Sequence, residues 1–313
     1  MHERPLRIGV IGAGRMGRIH AEGFAGHEEV ESVVMIGRER GPDVYAGLDG
    51  LVLAASTTAH PELVEEAAAL GVPLLIEKPL ASTVTLQQEL IELLEEHGTV
   101  CMMGYHRRFD PAHRRLREKV TSGELGAVRG AVAVSHDYLD AEEAFIPRSG
   151  GLWRDLAVHD FNALAWVLDD RVVSVRAHAA AHNPLYRRYG DADTGAAVLT
   201  FSSGAVATLF CGRNISSGQE SRLEVHGTEG SAAAGGAPLS RTVSVEAGAP
   251  SAGSGARDSF ERFPDAYRRE REEFIRLIRG GRGTVSPPQA CLEALRTAEA
   301  VEESAATGRE VRV

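Results

Sequence analysis

Short, continuous apolar runs alternate with amphipathic segments in the first third of the chain. The runs begin at Leu6, Val30, Leu51, Val72 and Thr99, and segments with helical spacing follow several of them. Apolar runs without polar alternation are typical of strands that are buried on both faces of a parallel sheet. The order of the segments therefore predicts an α/β fold with an amino-terminal, Rossmann-type doubly wound parallel sheet.

The pattern changes from Gly126 onwards, where apolar and polar residues alternate along several segments. This alternation predicts strands at Val128–Ser135, Val172–Ala180, Gly195–Phe201, Ala205–Cys211 and Arg222–His226. One substantial helix, Asp155–Leu168, interrupts them, and two more, Asp265–Arg279 and Gln289–Ala306, close the chain. We therefore predict a carboxyl-terminal α+β domain with a mainly antiparallel, open-faced sheet. We assign residues 1–118 to a dinucleotide-binding domain and 119–313 to a substrate-binding and oligomerisation domain. Residues 231–256, rich in Ala, Gly and Ser, predict a mobile excursion.

Composition and charge narrow the range of partners. The net charge of -10 and the pI of about 5.7 argue against nucleic acid or a membrane surface as a general partner. The three cysteines are far apart in the chain, and no signal peptide opens it, so we expect a cytoplasmic protein with reduced thiols. We expect no metal site.

A glycine-rich motif joins the first predicted strand to the first predicted helix. Gly12, Gly14 and Gly17 form a G-x-G-x-x-G, with Arg15 and Met16 inside it. The first glycine permits a tight turn, the second admits a pyrophosphate to the backbone, and the third lets the helix pack closely on the strand. The free N–H groups at the start of that helix attract an anion. We therefore predict that these five residues bind a dinucleotide; the alternative is a purely structural turn.

The end of the second predicted strand bears on the choice of cofactor. An NAD site usually has a carboxylate there for the ribose hydroxyls, but this chain has Gly37 followed by Arg38, Glu39 and Arg40. An arginine pairs well with a 2′-phosphate, so we favour NADP over NAD, with Arg38 as the contact. The alternative is that the arginines are solvated and that Glu39 binds the ribose. The segment 37–50 is also too short for a full crossover helix, so we predict a loop there.

Further polar residues follow the third and fourth predicted strands. Ser56 and Thr57, with His60 opening the next helix, predict contacts to the cofactor; the alternative for the hydroxyls is helix capping. Glu77 and Lys78 end the fourth strand, at the sheet edge where ligands of parallel sheets bind, so we predict that both contact the cofactor. Lys78, held by the rigid turn at Pro79, is a candidate catalytic residue, although a surface Glu–Lys pair is the simpler alternative.

A second group of candidate catalytic residues follows the pair Gly150–Gly151. Asp155 and His159 are four residues apart, so both project from one helical face. His159 can exchange a proton near neutral pH, and Asp155 can orient the imidazole or hold a substrate hydroxyl. The alternative is a surface pair or a helix cap.

These motifs together resemble those of the glucose-fructose oxidoreductase and inositol dehydrogenase family. The matching segments are Gly12–Gly17, Glu77–Pro79, Gly104–Pro111, Gly150–Gly151 with Asp155, His159 and Asp160, Gly227–Gly230, and Ala305–Val313. The resemblance implies a catalytic set of Lys78, Asp155 and His159, with the histidine as general acid/base and the lysine polarising the reacting hydroxyl. It also implies a cis bond before Pro79 and an open sheet that faces a partner subunit, as a homodimer or homotetramer.

The sequence thus predicts an NAD(P)-dependent oxidoreductase that acts on a secondary alcohol of a sugar, cyclitol or related polyol. Tyr105, Arg108 and Trp153 are further candidates for lining the substrate pocket, although each is also a plausible core or interface residue. Two alternatives remain open. One is an enzyme on the same fold that cleaves glycosides through a tightly held NAD, and the other is a non-catalytic protein that senses NADPH.

Overall fold

The computed structural model describes residues 4–38, 41–215, 218–235 and 256–313. The strands are β1 Leu6–Ile11, β2 Val30–Ile36, β3 Gly50–Leu53, β4 Leu74–Ile76, β5 Cys101–Met103, β6 Val128–His136, β7 Val172–Ala180, β8 Thr194–Phe201, β9 Val206–Gly212, β10 Glu220–Gly227, β11 Ser231–Ala234 and β12 Val311–Arg312. The helices are α1 Arg15–Ala25, α2 His60–Ala68, α3 Val84–Glu96, α4 Pro111–Thr121, α5 Ile146–Ser149, α6 Val158–Leu168, α7 Pro184–Arg188, α8 Ser259–Arg262, α9 Pro264–Ile278 and α10 Gln289–Thr307. A π-helical turn, Trp153–Ala157, directly precedes α6.

The chain divides into two compact units at places that differ from the predicted boundary after residue 118. The first unit is Met1–His106 with Tyr267–Leu292, and the second is Arg107–Ala266 with Glu293–Val313. Most of α9 thus belongs to the first unit, because it packs there. The ring of Phe274 lies 5.8 Å from the ring of Phe24 on α1, and both side chains are fully buried.

The first unit contains a five-stranded parallel sheet in the order β2-β1-β3-β4-β5. All residues of β3 and β4 are buried, which explains their unbroken apolar sequences. The chain moves from β1 to one side and then returns to the other side at β3. Ligands of such sheets bind beyond the carboxyl ends of the strands where the order reverses, which here is beside β1 and β3.

The connection between β2 and β3 is short, as predicted. Its described part contains a 3₁₀ turn, Pro42–Tyr45, in place of a crossover α-helix. Glu39 and Arg40 lie outside the described residues.

The second unit contains a seven-stranded sheet in the order β11-β10-β6-β9-β8-β7-β12. β6 and β9 run parallel, and the other neighbouring pairs are antiparallel, so the predicted mainly antiparallel sheet is confirmed. β11 corrects the prediction of a mobile segment at its beginning, because Ser231–Ala234 pairs with β10. Residues 236–255 of that segment are outside the described part of the chain.

The two faces of this sheet differ in exposure. Leu199 and Leu209 are buried on one face, whereas Val198, Val206 and Phe210 on the other are 45%, 43% and 40% exposed. On the buried face, Trp153 of the π-helical turn packs so closely that a methyl group at Gly195 in β8 would lie 2.5 Å from its ring. The sheet therefore has one covered face and one open, partly apolar face.

Candidate active site

The glycine motif forms the turn that its sequence predicts. Gly12 has a φ of +117°, and a Cβ there would lie 2.4 Å from the carbonyl oxygen of Ala54. A Cβ on Gly17 would lie 1.8 Å from the carbonyl oxygen of Gly12, so only glycine allows this approach of α1 to β1. A Cβ on Gly14 would meet nothing within 4 Å, which leaves the backbone at the start of α1 accessible. This cradle fits the pyrophosphate of a dinucleotide.

The residues around this cradle have different exposures. Arg15 on α1 and Arg38 after β2 are exposed, and Met16 is half-buried. Ser56 is exposed and Thr57 is half-buried at the end of β3. The hydroxyl of Ser56 lies 3.2 Å from that of Thr58, and no side chain caps the 3₁₀ turn or α2, so the capping alternative is wrong. Cofactor contacts from these residues stay predictions.

His60 does not have the position that we predicted for a cofactor contact. Its side chain is 1% exposed, and its Nδ1 lies 3.0 Å and 3.2 Å from the carbonyl oxygens of Pro79 and Leu80. Because both partners are acceptors, Nδ1 donates, and burial lowers the pKa of the imidazole. His60 therefore stabilises the backbone that follows Lys78 rather than facing a ligand.

Glu77 is also buried, which corrects the prediction that it contacts the cofactor. His20 Nε2 donates to its Oε1 at 2.7 Å, and the backbone N–H of Lys78 donates to its Oε2 at 3.3 Å. The carboxylate thus connects α1 to the end of β4. Lys78 is half-buried, and its bond to Pro79 is cis, as the resemblance implies.

A further acidic residue of the first unit, Glu270 on α9, is buried. Its side chain is fully buried, and neither carboxyl oxygen has a hydrogen-bond partner among the described residues. Burial, and then the charge of Glu77, raise the pKa of Glu270 well above its ordinary value. Sequence periodicity did not identify it, because a glutamate on a charged helix is normally solvated.

The second unit carries Asp155 and His159. Asp155 lies in the π-helical turn and His159 in the first turn of α6; both are half-buried. We predicted one regular helix, but the chain forms a π turn first, a feature frequent at functional sites. Four residues span slightly more than one α turn and slightly less than one π turn. The side chains of Asp155 and His159 therefore project from the same side of the helical segment. Arg213, which sequence reasoning missed, donates from Nη2 to Asp155 Oδ2 at 3.2 Å.

Comparison with known proteins gives two family matches and several full-length relatives. Residues 42–105 match the family described as "Oxidoreductase family, NAD-binding Rossmann fold", and residues 113–233 match "GFO/IDH/MocA C-terminal domain". The myo-inositol dehydrogenase Hyg17 of Streptomyces leeuwenhoekii is 32% identical, over 97% of this chain and 98% of its own. The chain belongs to the Gfo/Idh/MocA oxidoreductase family.

Two other similar proteins also match this chain along nearly its whole length. The inositol 2-dehydrogenase of Rhizobium meliloti (strain 1021) is 29% identical over 98% of this chain and 99% of its own. The crystal structure of a myo-inositol dehydrogenase from Corynebacterium glutamicum ATCC 13032 has a TM-score of 0.86 at 28% identity, covering 99% of each chain. This Gfo/Idh/MocA protein is thus an NAD(P)-dependent oxidoreductase of CH–OH groups, with the two-part fold that we predicted. Among its described residues, no helix combines the length and apolar character needed to cross a membrane.

Three predicted pocket residues of this oxidoreductase are buried within their own units. Tyr105 is 1% exposed, and Trp153 stacks on Phe161 with ring centroids 6.5 Å apart. Arg108 donates from Nε to Asn162 at 2.8 Å. Burial favours the alternative that these three are core residues, so we no longer assign them to the substrate.

Proposed function

We propose that this oxidoreductase oxidises a secondary hydroxyl of a cyclitol or related polyol and uses Lys78, Asp155 and His159 to do so. The imidazole of His159 takes the hydroxyl proton at a ring nitrogen, and the Lys78 ammonium donates a hydrogen bond to the oxygen as negative charge develops there. The carboxylate of Asp155 orients the reacting groups. When bound, the nicotinamide supplies the acceptor for the hydride.

The observation that carries the proposal is that a chain matched to inositol dehydrogenases along nearly its whole length has residues suited to both parts of the chemistry. The first unit provides a cradle that fits a pyrophosphate, with Lys78 at the same edge of its sheet. The second unit presents Asp155 and His159 from consecutive turns of one helical segment. The relatives named above are inositol dehydrogenases, which supports a cyclitol rather than another alcohol.

The test is reduction of NAD and NADP by a panel of cyclitols and sugars, followed at the reduced-nicotinamide absorbance band. We expect turnover with at least one cyclitol and a fall of about 100-fold or more in kcat for Lys78→Ala and His159→Ala. An unchanged kcat in Lys78→Ala would contradict the role of the lysine. A co-purified cofactor that never exchanges would instead favour glycoside cleavage, and cofactor binding without turnover would favour a sensor.

We also infer that the open face of the seven-stranded sheet binds a second copy of the chain. A shallow groove of about 450 Å³ crosses this face, lined by Val134, Val198 and Phe210 among others. Exposed apolar residues grouped on one sheet face are typical of oligomer interfaces. The proposed state is a homodimer or homotetramer, which sedimentation analysis measures directly.

A further inference from the structure

Arg213 follows directly after β9, and its guanidinium is buried in the second unit. Only 1% of its side-chain surface is exposed. Its backbone N–H donates to the carbonyl oxygen of Asp193 at 2.8 Å, and its Cζ lies 5.4 Å from the ring centroid of Tyr186. Burying a charge costs on the order of several kcal/mol unless a partner compensates it. The position of this cation therefore requires an explanation.

The acidic partner of this guanidinium is Asp155, at 3.2 Å between Nη2 and Oδ2. The Nε of Arg213 is buried and has no hydrogen-bond partner in the described part of the chain. Burial opposes the charge, but the attraction of Asp155, then of Asp191, raises the pKa of the guanidinium above its ordinary value. Arg213 is thus a permanent cation beside the one carboxylate of the proposed catalytic set.

The backbone that carries Asp155 is held by other contacts. The N–H of Leu152 donates to Asp191 Oδ1 at 2.9 Å, and Arg154 donates to Glu302 at 2.6 Å. These bonds restrain the π-helical turn through partners other than the Asp155 carboxylate. The contact with Arg213 therefore restrains the side chain itself, which the contacts of its neighbours do not.

We propose that Arg213 is a positioning residue that holds the Asp155 carboxylate in the orientation required for the reaction. The inference rests on the proposed function, which assigns Asp155 to catalysis. The arginine acts through Asp155 and takes no part in proton or hydride transfer. Because the guanidinium is charged at every working pH, this restraint does not depend on the state of another group.

The experiment is a double-mutant cycle of Arg213→Met and Asp155→Asn, with kcat and cofactor affinity measured for each variant. We expect Arg213→Met to lower kcat about 10- to 100-fold in the wild-type background. In the Asp155→Asn background it should change kcat by less than about twofold, because the group it orients is gone. NADH affinity should change by less than about twofold in either background, since the cofactor cradle belongs to the other unit.

Arg154→Met is the matched control, because it removes an ion pair from the same helical turn without touching Asp155. It should lower the melting temperature but leave kcat within about twofold of wild type. Arg213→Lys, which keeps the charge, should recover part of the activity lost in Arg213→Met. If Arg213→Met fails to fold, Arg213→Lys and Arg213→Gln provide the same comparison, and a higher kcat in the lysine variant supports the proposal.

The outcomes separate the two hypotheses. Equal losses from Arg213→Met in both backgrounds, or no loss in either, would overturn the positioning role. Failure of the proposed function would appear differently, as a wild-type protein without turnover or as full turnover in Asp155→Asn. An active wild type, an impaired Asp155→Asn and a normal Arg213→Met would refute only the inference about Arg213.

Discussion

The buried carboxyl group of Glu270 makes the stability of this oxidoreductase depend on pH in a predictable direction. Burial and the nearby charge of Glu77 raise its pKa in the folded protein, and Arg271 opposes them with a smaller effect. His20 is also titratable, and its side chain bonds to Glu77. In the unfolded chain Glu270 titrates near its ordinary pKa of 4.5. At pH values between the unfolded and folded pKa values, Glu270 therefore keeps a proton in the folded protein that it releases in the unfolded chain.

The sign and size of the effect follow from this difference in bound protons. Between the unfolded and folded pKa values, the folded protein binds more protons, so the free energy of unfolding falls as the pH rises. The slope for one group cannot exceed about 1.4 kcal/mol per pH unit. The stabilising contribution is fully present below the unfolded pKa and is lost as the pH rises toward the folded pKa. Glu270→Gln removes the titration and keeps nearly the same shape.

We therefore expect the free energy of unfolding of Glu270→Gln, relative to wild type, to increase from pH 5 to pH 7. The increase is at most about 3 kcal/mol, which is two pH units at the limiting slope. Urea unfolding at pH 5, 6 and 7, followed by circular dichroism, measures it. Glu272→Gln on the same helix is the control, because Glu272 is exposed and paired with Arg268. A difference between Glu270→Gln and wild type that stays constant across this range would refute the argument.

Three further predictions concern the cofactor and the interface. Gly14→Ala should keep the melting temperature but weaken NADH binding about tenfold or more. Gly17→Ala should lower the melting temperature and also weaken NADH binding, because its Cβ would lie 1.8 Å from a carbonyl oxygen. Thermal melts and cofactor fluorescence distinguish the two variants. Arg38→Ala should weaken NADPH binding about tenfold more than NADH binding, and equal effects in titrations would contradict a 2′-phosphate contact. Phe210→Asp on the open sheet face should shift the protein to a smaller species in sedimentation, while an unchanged species would exclude this face as the interface.

Sequence periodicity located strands best where an apolar run is bounded by breakers. The predicted first residues of β1 and β2 and both predicted bounds of β7 coincide with those observed, and the five-stranded parallel sheet follows from the order of the runs. β11 and β12 were missed for a physical reason. Ser231–Ala234 has weak strand propensity and is a strand through its pairing with β10, a long-range contact that no local pattern reveals.

The residues of the candidate site were found more reliably than the direction of their side chains. Being at the carboxyl edge of the sheet predicted a role for Glu77 and His60, but both side chains turn inward and bond to protein groups. A local pattern gives the element and its end, and packing decides which polar group faces solvent.

Buried hydrogen-bonded polar pairs connect strand ends to helical segments in both units. His20 bonds to Glu77 at the end of β4, and Arg213 bonds to Asp155 beyond β9, across 58 residues of sequence. Burial makes such pairs poor sources of stability, since apolar side chains of similar volume often serve as well or better. A pair of this kind does fix the direction of a side chain or backbone group that apolar packing would leave free. In each unit the element that the pair holds adjoins a proposed catalytic residue, Lys78 in the first and Asp155 itself in the second. We therefore interpret these polar pairs as contacts that orient the reacting groups, at some expense in folding free energy.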